Sequence, residues 1–263
     1  MKSMKIHNPV KKALAEQVVT LGTWMQFGHP GIAEILANTG FDWIAADCEH
    51  TDIDVAGFAN LARAIHGRGP VPLVRVREND TLAIRQVLDV GAQGVIVPLV
   101  NSAEDAQKAV AAARFPPEGI RGFAFFRAND WGANFDEYAQ HANRETVIIV
   151  MIETKEAVEN IDEILAVDGI DGILIGPYDM SGSYGVTGQT SHPLLLEARH
   201  SVVNACQKAG RSAGLHDVLP TKESIEGAIA EGFTFLALGM DNVFIDQGAR
   251  RALHIAQQVN KSA

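Results

Sequence analysis

The sequence predicts an α/β protein, and within that class a single closed (β/α)8 TIM barrel, on three observations. Short apolar or β-branched runs bounded by Gly, Pro or Asp alternate with longer stretches of helical period. Eight such runs separated by helices imply parallel neighbours joined by right-handed crossovers, and eight is the number that closes a barrel. The segment after the first run reads TWMQFGHPG (23–31), which is not the GxGxxG loop expected in the rival, an open doubly wound sheet.

In chain order the strands are expected at Leu21–Gln26, Trp43–Asp47, Pro72–Val76, Gly94–Pro98, Val147–Ile152, Gly172–Gly176, Ser212–Leu215 and Phe235–Gly239. Among the helices between them, Ile53–Gly67 places Phe58, Leu61 and Ile65 on one face, and Lys155–Val167 does the same with Val158, Ile161 and Leu165. Asn101–Ala113, Leu194–Ala209 and Thr221–Glu231 complete the regular set. Gly40, Gly91, Gly210 and Gly232 each follow a helix and precede a strand, where a left-handed C-cap belongs. Arg114–Arg144 is too long for an ordinary loop and reads as a functional excursion. One domain is expected, with its core over about residues 18–245.

Composition narrows the function classes. Of 263 residues, 47% are apolar and 21% charged, a globular rather than a disordered balance. The longest apolar runs, Val95–Val100 and Val147–Ile152, fall far below the roughly 18 residues that span a bilayer. The basic N-terminus has no apolar segment of a signal peptide. Asp and Glu number 32 against 22 Lys and Arg, which argues against a nucleic-acid partner. Cys48 and Cys206 make neither a disulfide framework nor a metal cluster. A soluble cytoplasmic protein is expected.

In a barrel, chemistry belongs where strands end. Those ends carry Trp24 and Gln26, Asp47-Cys48-Glu49-His50, Arg75, Pro98, Glu153, Gly176-Pro177-Tyr178-Asp179, His216-Asp217 and Met240-Asp241. The strand starts carry mainly apolar residues, Gly and Pro. Singly, Glu153 reads as a first-turn helix residue favoured by the dipole, and Asp179 as a turn residue. Together, on neighbouring strand ends, they suit a hard divalent ion such as Mg2+ or Mn2+, with positions left for water and a chelating substrate. His50, past a strand end and among carboxylates, is a general-base candidate that Asp89 could orient. The alternative is that Asp47, Glu49 and Asp52 simply cap the next helix. Cys48 has acidic neighbours that raise a thiol pKa, so it reads as a packed residue. Arg75 lies inside a strand able to be buried on both faces and needs an anionic partner, either a carboxylate or a substrate oxygen that gains charge. The Gly176–Asp179 turn could present backbone N–H groups to a carboxylate. His29, His192 and His216 lie in or near the mouth and take second place. None of the nine lysines falls inside a predicted strand, which disfavours a Schiff-base mechanism.

These residues sit in six ordered motifs: FDWIAADCEH (41–50), PLVRVREND (72–80), RQVLDVGAQGVIVPLV (85–100), RFPPEGIRG (114–122), IETKEA (152–157) and GILIGPYDMSGSYGVTGQTSHP (172–193). Over about Leu21 to Asp241 the chain resembles the HpcH/HpaI family of class II pyruvate aldolases, of the 4-hydroxy-2-oxoheptanedioate and 2-dehydro-3-deoxy-sugar-acid types. The resemblance implies reversible cleavage of a 4-hydroxy-2-oxo acid to pyruvate and an aldehyde. It implies a divalent metal (Mg2+, Mn2+ or Co2+) on Glu153 and Asp179, chelated by pyruvate, with the amides of the Gly176-Pro177-Tyr178 turn on its carboxylate. Arg75 would stabilise the enolate oxygen, and His50, oriented by Asp89, would handle the aldol proton. Asp47 and Glu49 would hold water beside the metal. The resemblance further implies a homohexamer, a trimer of domain-swapped dimers that exchange a C-terminal helix (246–263).

The chain departs from the family pattern at Met151, where a Gln that lies close to bound pyruvate is common. Phe125-Phe126 and His216-Asp217 stand where smaller or apolar residues are usual, and both changes are expected to border the acceptor pocket. A different aldehyde specificity is expected. Two other readings remain open: a decarboxylase or other carbon–carbon lyase on an oxaloacetate-like or acyl-CoA substrate, and a non-catalytic oxo-acid sensor.

Overall fold

Strands Thr20–Met25 (β1), Trp43–Asp47 (β2), Val71–Arg75 (β3), Gly94–Val97 (β4), Val147–Ile152 (β5), Gly172–Ile175 (β6), Ser212–Asp217 (β7) and Phe235–Met240 (β8) pair in parallel in chain order. Strand β8 closes onto β1, which completes the expected barrel. This arrangement is seen in a computed structural model that describes residues 7–261. The first helices are Pro9–Ala15 (α1), Pro30–Ala37 (α2), Val55–Ile65 (α3), Thr81–Asp89 (α4), Ala103–Ala113 (α5) and Phe135–Glu145 (α6). Lys155–Glu159 (α7), Ile161–Leu165 (α8), Pro177–Ser183 (α9), Pro193–Ala209 (α10), Lys222–Glu231 (α11) and Asp241–Lys261 (α12) follow. No described helix is long and apolar enough to cross a membrane.

Side chains alternate along a strand, so each strand sends one set out to the helices and the other into the barrel. The inward set forms its own cluster: Trp43, Val71, Val147 and Phe235 near the base, then Ala45, Leu73, Ile149 and Ala237, then Trp24, Met151 and Leu174. Trp43 is fully buried and stacks on Phe235 with ring centroids 4.1 Å apart. Gly22 makes room for this ring, because a Cβ there would lie 2.0 Å from Trp43 Cδ2. A buried aromatic of this kind is worth about 3–5 kcal/mol when truncated.

Helix α1 seals the base. Asn8 caps it by accepting from Val10 N–H and Lys11 N–H, and Lys11 pairs with Asp171 at 2.8 Å, so Val10 and Leu14 complete the inward cluster from below. The barrel therefore opens at its other end.

Three departures from the expected elements have local causes. The helix expected over Lys155–Val167 breaks at Asn160, whose backbone leaves the helical region and whose side chain donates to the Asn101 carbonyl at 2.9 Å. The Gly176–Asp179 turn is instead the start of helix α9, with Pro177 in its first turn. The 114–144 excursion holds a 3-10 turn (Arg127–Gly132) and helix α6, a polar helix with only Tyr138 and Ala142 buried. It links α5 to β5 and so lies at the sealed base, where Arg127 Nη1 donates to the Val90 carbonyl at 3.1 Å. Within the chain, Phe125 and Phe126 are therefore not at the mouth. Gly40, Gly91, Gly210 and Gly232 all have positive φ, as their positions after helices predict.

Candidate active site

Continuing the inward rows past the last core layer brings Asp47, Arg75, Glu153 and His216 to the open end. Asp47 and Arg75 are register partners on β2 and β3. The guanidinium grips the carboxylate with two hydrogen bonds, Nε to Oδ1 at 2.9 Å and Nη2 to Oδ2 at 2.6 Å. Asp47 is fully buried and also accepts from Gln26 Nε2 and from the backbone N–H groups of Glu49 and His50. Arg75 lies 5.0 Å over the Trp24 ring. Burial alone would disfavour its charge, but Asp47, with Glu49 and Glu153, more than offsets this and raises its pKa.

Glu153 is buried, and its Oε1 accepts the Leu99 N–H at 2.7 Å. Leu99 reaches it from a left-handed backbone conformation, φ +52°, uncommon for a residue with a side chain. Burial first, then the charges of Glu49 and Asp179, push Glu153 up to about 7, against the pull of Leu99 N–H and Arg75. Glu49 is raised for the same reasons, burial foremost. Its Oε2 stands 3.3 Å from Arg75 Nη1 and 3.6 Å from His50 Nε2, yet this buried oxygen accepts no hydrogen bond. Gly176 packs against Glu153 so closely that a Cβ would lie 2.6 Å from Oε2. The mouth thus holds mutually repelling carboxylates, one buried oxygen without a partner, and space that only glycine leaves free. A divalent cation fits this electrostatic surplus. Among the described residues no three His, Cys, Asp or Glu side chains form a ready metal cluster, so Glu153 and Asp179 would make a two-carboxylate site.

A family model described as HpcH/HpaI aldolase/citrate lyase matches residues 20–246. The chain belongs to this family. The hydroxypyruvate/pyruvate aldolase of Roseobacter denitrificans is 40% identical over 237 residues, covering 89% of this chain and 91% of the relative. The 5-keto-4-deoxy-D-glucarate aldolase of Escherichia coli is 37% identical over 235 residues, with the same coverage of 89% and 91%. An HpcH/HpaI aldolase structure from Desulfitobacterium hafniense superposes with a TM-score of 0.88 at 31% identity, covering 94% of this chain and 96% of that one. This HpcH/HpaI protein is accordingly a lyase of the class II aldolase type.

The remaining expected site residues of this family member fall as follows. His50 is exposed at the mouth. Tyr178 is exposed, while Trp24 and Met151 are buried in the inward row. Asp89 does not meet His50 within the chain. Helix α4 runs from the mouth back to the base, and Asp89, its last residue, accepts instead from Arg121 Nη2 at 2.8 Å. Arg121 is fully buried between Phe115, Phe126 and Tyr138. His29 and His192 cap helices α2 and α10 through Nδ1. Burial pushes the Cys48 thiol up to about 12, with Asp47 adding to the effect, which leaves it inert. Sequence reasoning missed Leu99, since nothing in a sequence marks a leucine at positive φ.

His216 continues the β7 inward row and packs on Trp24, ring centroids 5.9 Å apart. Burial lowers its pKa to about 4, and nearby Arg75 adds to this. The unfolded chain takes up this proton near pH 6.5 and the folded chain only near 4. The stability His216 contributes is therefore complete above about pH 6.5 and is lost as pH falls toward 4, to the extent of about 3 kcal/mol. Urea melts of wild type and His216→Gln between pH 4 and 7 should diverge in this direction. Parallel curves would refute it.

Proposed function

We propose that the barrel cleaves a 4-hydroxy-2-oxo acid reversibly to pyruvate and an aldehyde, using Mg2+, Mn2+ or Co2+ held by Glu153 and Asp179. The observation that carries this reading is buried Glu153, repelled by half-buried Glu49 and by exposed Asp179 on the neighbouring strand end, beside the Arg75 guanidinium at the one open end of the barrel. The metal, when bound, supplies positive charge to the oxygens of the oxo acid. Asp47 takes two N–H groups of Arg75, which leaves the Nη1 protons to donate to the oxo oxygen as its negative charge grows. His50, exposed beside Glu49, takes the proton of the 4-hydroxyl as the carbon–carbon bond breaks, and the pyruvate enolate left behind takes a proton from solvent at its terminal carbon; in the synthetic direction both transfers run in reverse. The Gly176-Pro177-Tyr178 turn borders the carboxylates, and we assign it to the substrate carboxylate. Met151 and Trp24 form the floor. Both relatives named above act on oxo acids, which agrees with this substrate class.

An Asp89 that orients His50 must come from a second copy of the chain, because within one chain the two lie at opposite ends. Ile245, Leu253, Ile255 and Val259 are exposed on α12, which suits a helix exchanged between protomers of a trimer of dimers. Two buried free cysteines suit the reducing cytoplasm.

Chelation tests the proposal. Treatment with EDTA should abolish aldol cleavage, and Mg2+, Mn2+ or Co2+ should restore it. Borohydride with pyruvate should not inactivate the enzyme, because Lys155, which follows the end of β5, lies on a helix in solvent and not on a barrel strand. Full activity after exhaustive metal removal would overturn the reading.

A further inference from the structure

His216 is a half-buried titratable side chain in the mouth that the reaction above does not use. Its Nε2 lies 3.1 Å from the Gly239 carbonyl oxygen. A carbonyl can only accept, so Nε2 carries the hydrogen. Burial beside the Arg75 cation keeps the ring neutral, and a neutral imidazole protonated at Nε2 has a lone pair at Nδ1. Among the described residues nothing donates to Nδ1. It is also not one of the sealed, unpartnered polar atoms, which at the mouth are Trp24 Nε1 and Glu49 Oε2.

The ring is held firmly. Trp24 packs against it, and the Gly239 carbonyl that orients it also accepts from Thr23 Oγ1. Gly239 has φ +61°, and a Cβ there would stand 2.3 Å from the Phe244 ring, so this backbone has little freedom to move. In the closed strand order β7 stands opposite β3, with β1 midway between them, so His216 enters the mouth from the wall across from Arg75, the group that binds the oxo acid, and Trp24 of β1 packs near both. A fixed acceptor in that position rewards a ligand that carries a donor. A methyl group offers none, and a carboxylate would set lone pair against lone pair. A hydroxyl answers it.

We propose that His216 is a specificity-determining residue whose Nδ1 accepts a hydrogen bond from a hydroxyl on the aldehyde half of the substrate, selecting hydroxyaldehydes over their deoxy counterparts. This rests on the aldolase reading. The test condenses pyruvate with glyceraldehyde or with propanal, using the metal-loaded wild type, His216→Leu and His216→Gln. His216→Leu should lose roughly 10- to 100-fold in kcat/KM for glyceraldehyde and stay within about 2-fold for propanal. His216→Gln, which keeps an acceptor, should recover part of the loss. Exchange of the pyruvate methyl protons in heavy water needs no aldehyde, and it should be unchanged in both variants. Equal losses on the two aldehydes, a loss of exchange, or a change confined to hydroxypyruvate against pyruvate as donor would each overturn the proposal. Absence of exchange in the wild type would instead refute the aldolase reading, and the proposal with it.

Discussion

Glu153→Gln is expected to cut kcat by at least about 1000-fold while leaving the barrel folded. A glutamine has nearly the same shape and keeps an oxygen to accept the Leu99 N–H, so the local structure has no reason to change. What it loses is the negative charge that would hold the metal, and with it the charge stabilisation of the reacting oxo acid. The metal-free variant should be at least as stable as the metal-free wild type at pH 7, because Glu153 must carry its charge into a buried site facing Glu49 and Asp179. Two measurements check this together. Steady-state kinetics should show the loss, and thermal melts with Mn2+ added should show the wild type stabilised and the variant unmoved. A variant that retains turnover, or that still gains stability from the ion, removes Glu153 from the metal site.

Arg75→Ala should cost both folding and chemistry. Asp47 is fully buried, and the substitution removes its only charged hydrogen-bond partner. An uncompensated buried charge of this kind costs about 3–5 kcal/mol. Gln26 and the two backbone donors remain, which favours the lower end of that range. Loss of the donor to the oxo oxygen should lower kcat/KM by about 100- to 1000-fold. Arg75→Lys separates the two effects: a lysine restores the charge but cannot make the two-pronged grip, so stability should recover more than activity. Chemical denaturation read beside kinetics decides it. A lysine variant with wild-type kinetics would mean that only the charge matters.

All eight strands were legible in the sequence because each is a mainly buried run that ends at a Gly, Pro, Asp or short polar break. The gathering of Asp47, Arg75 and Glu153 at the mouth was legible for the same reason: they interrupt or close runs that are otherwise apolar. Asp89 was not, because its place depends on which end of the barrel a helix finishes at, and the helical period of its own segment does not show that. The 114–144 excursion was visible by its length, but its position under the barrel follows from connecting a helix end to a strand start. Leu99 and the break at Asn160 are backbone events set by tertiary hydrogen bonds, and they leave no compositional trace.

Because reacting groups and core share the same alternating rows, a one-residue insertion or deletion within β3 would turn Arg75 toward the helices and bring Val74 or Val76 inward. Such a slip would erase turnover and packing in a single event. New substrate preferences in this scaffold are thus open to exchange of side chains at the rim, and closed to changes of strand length.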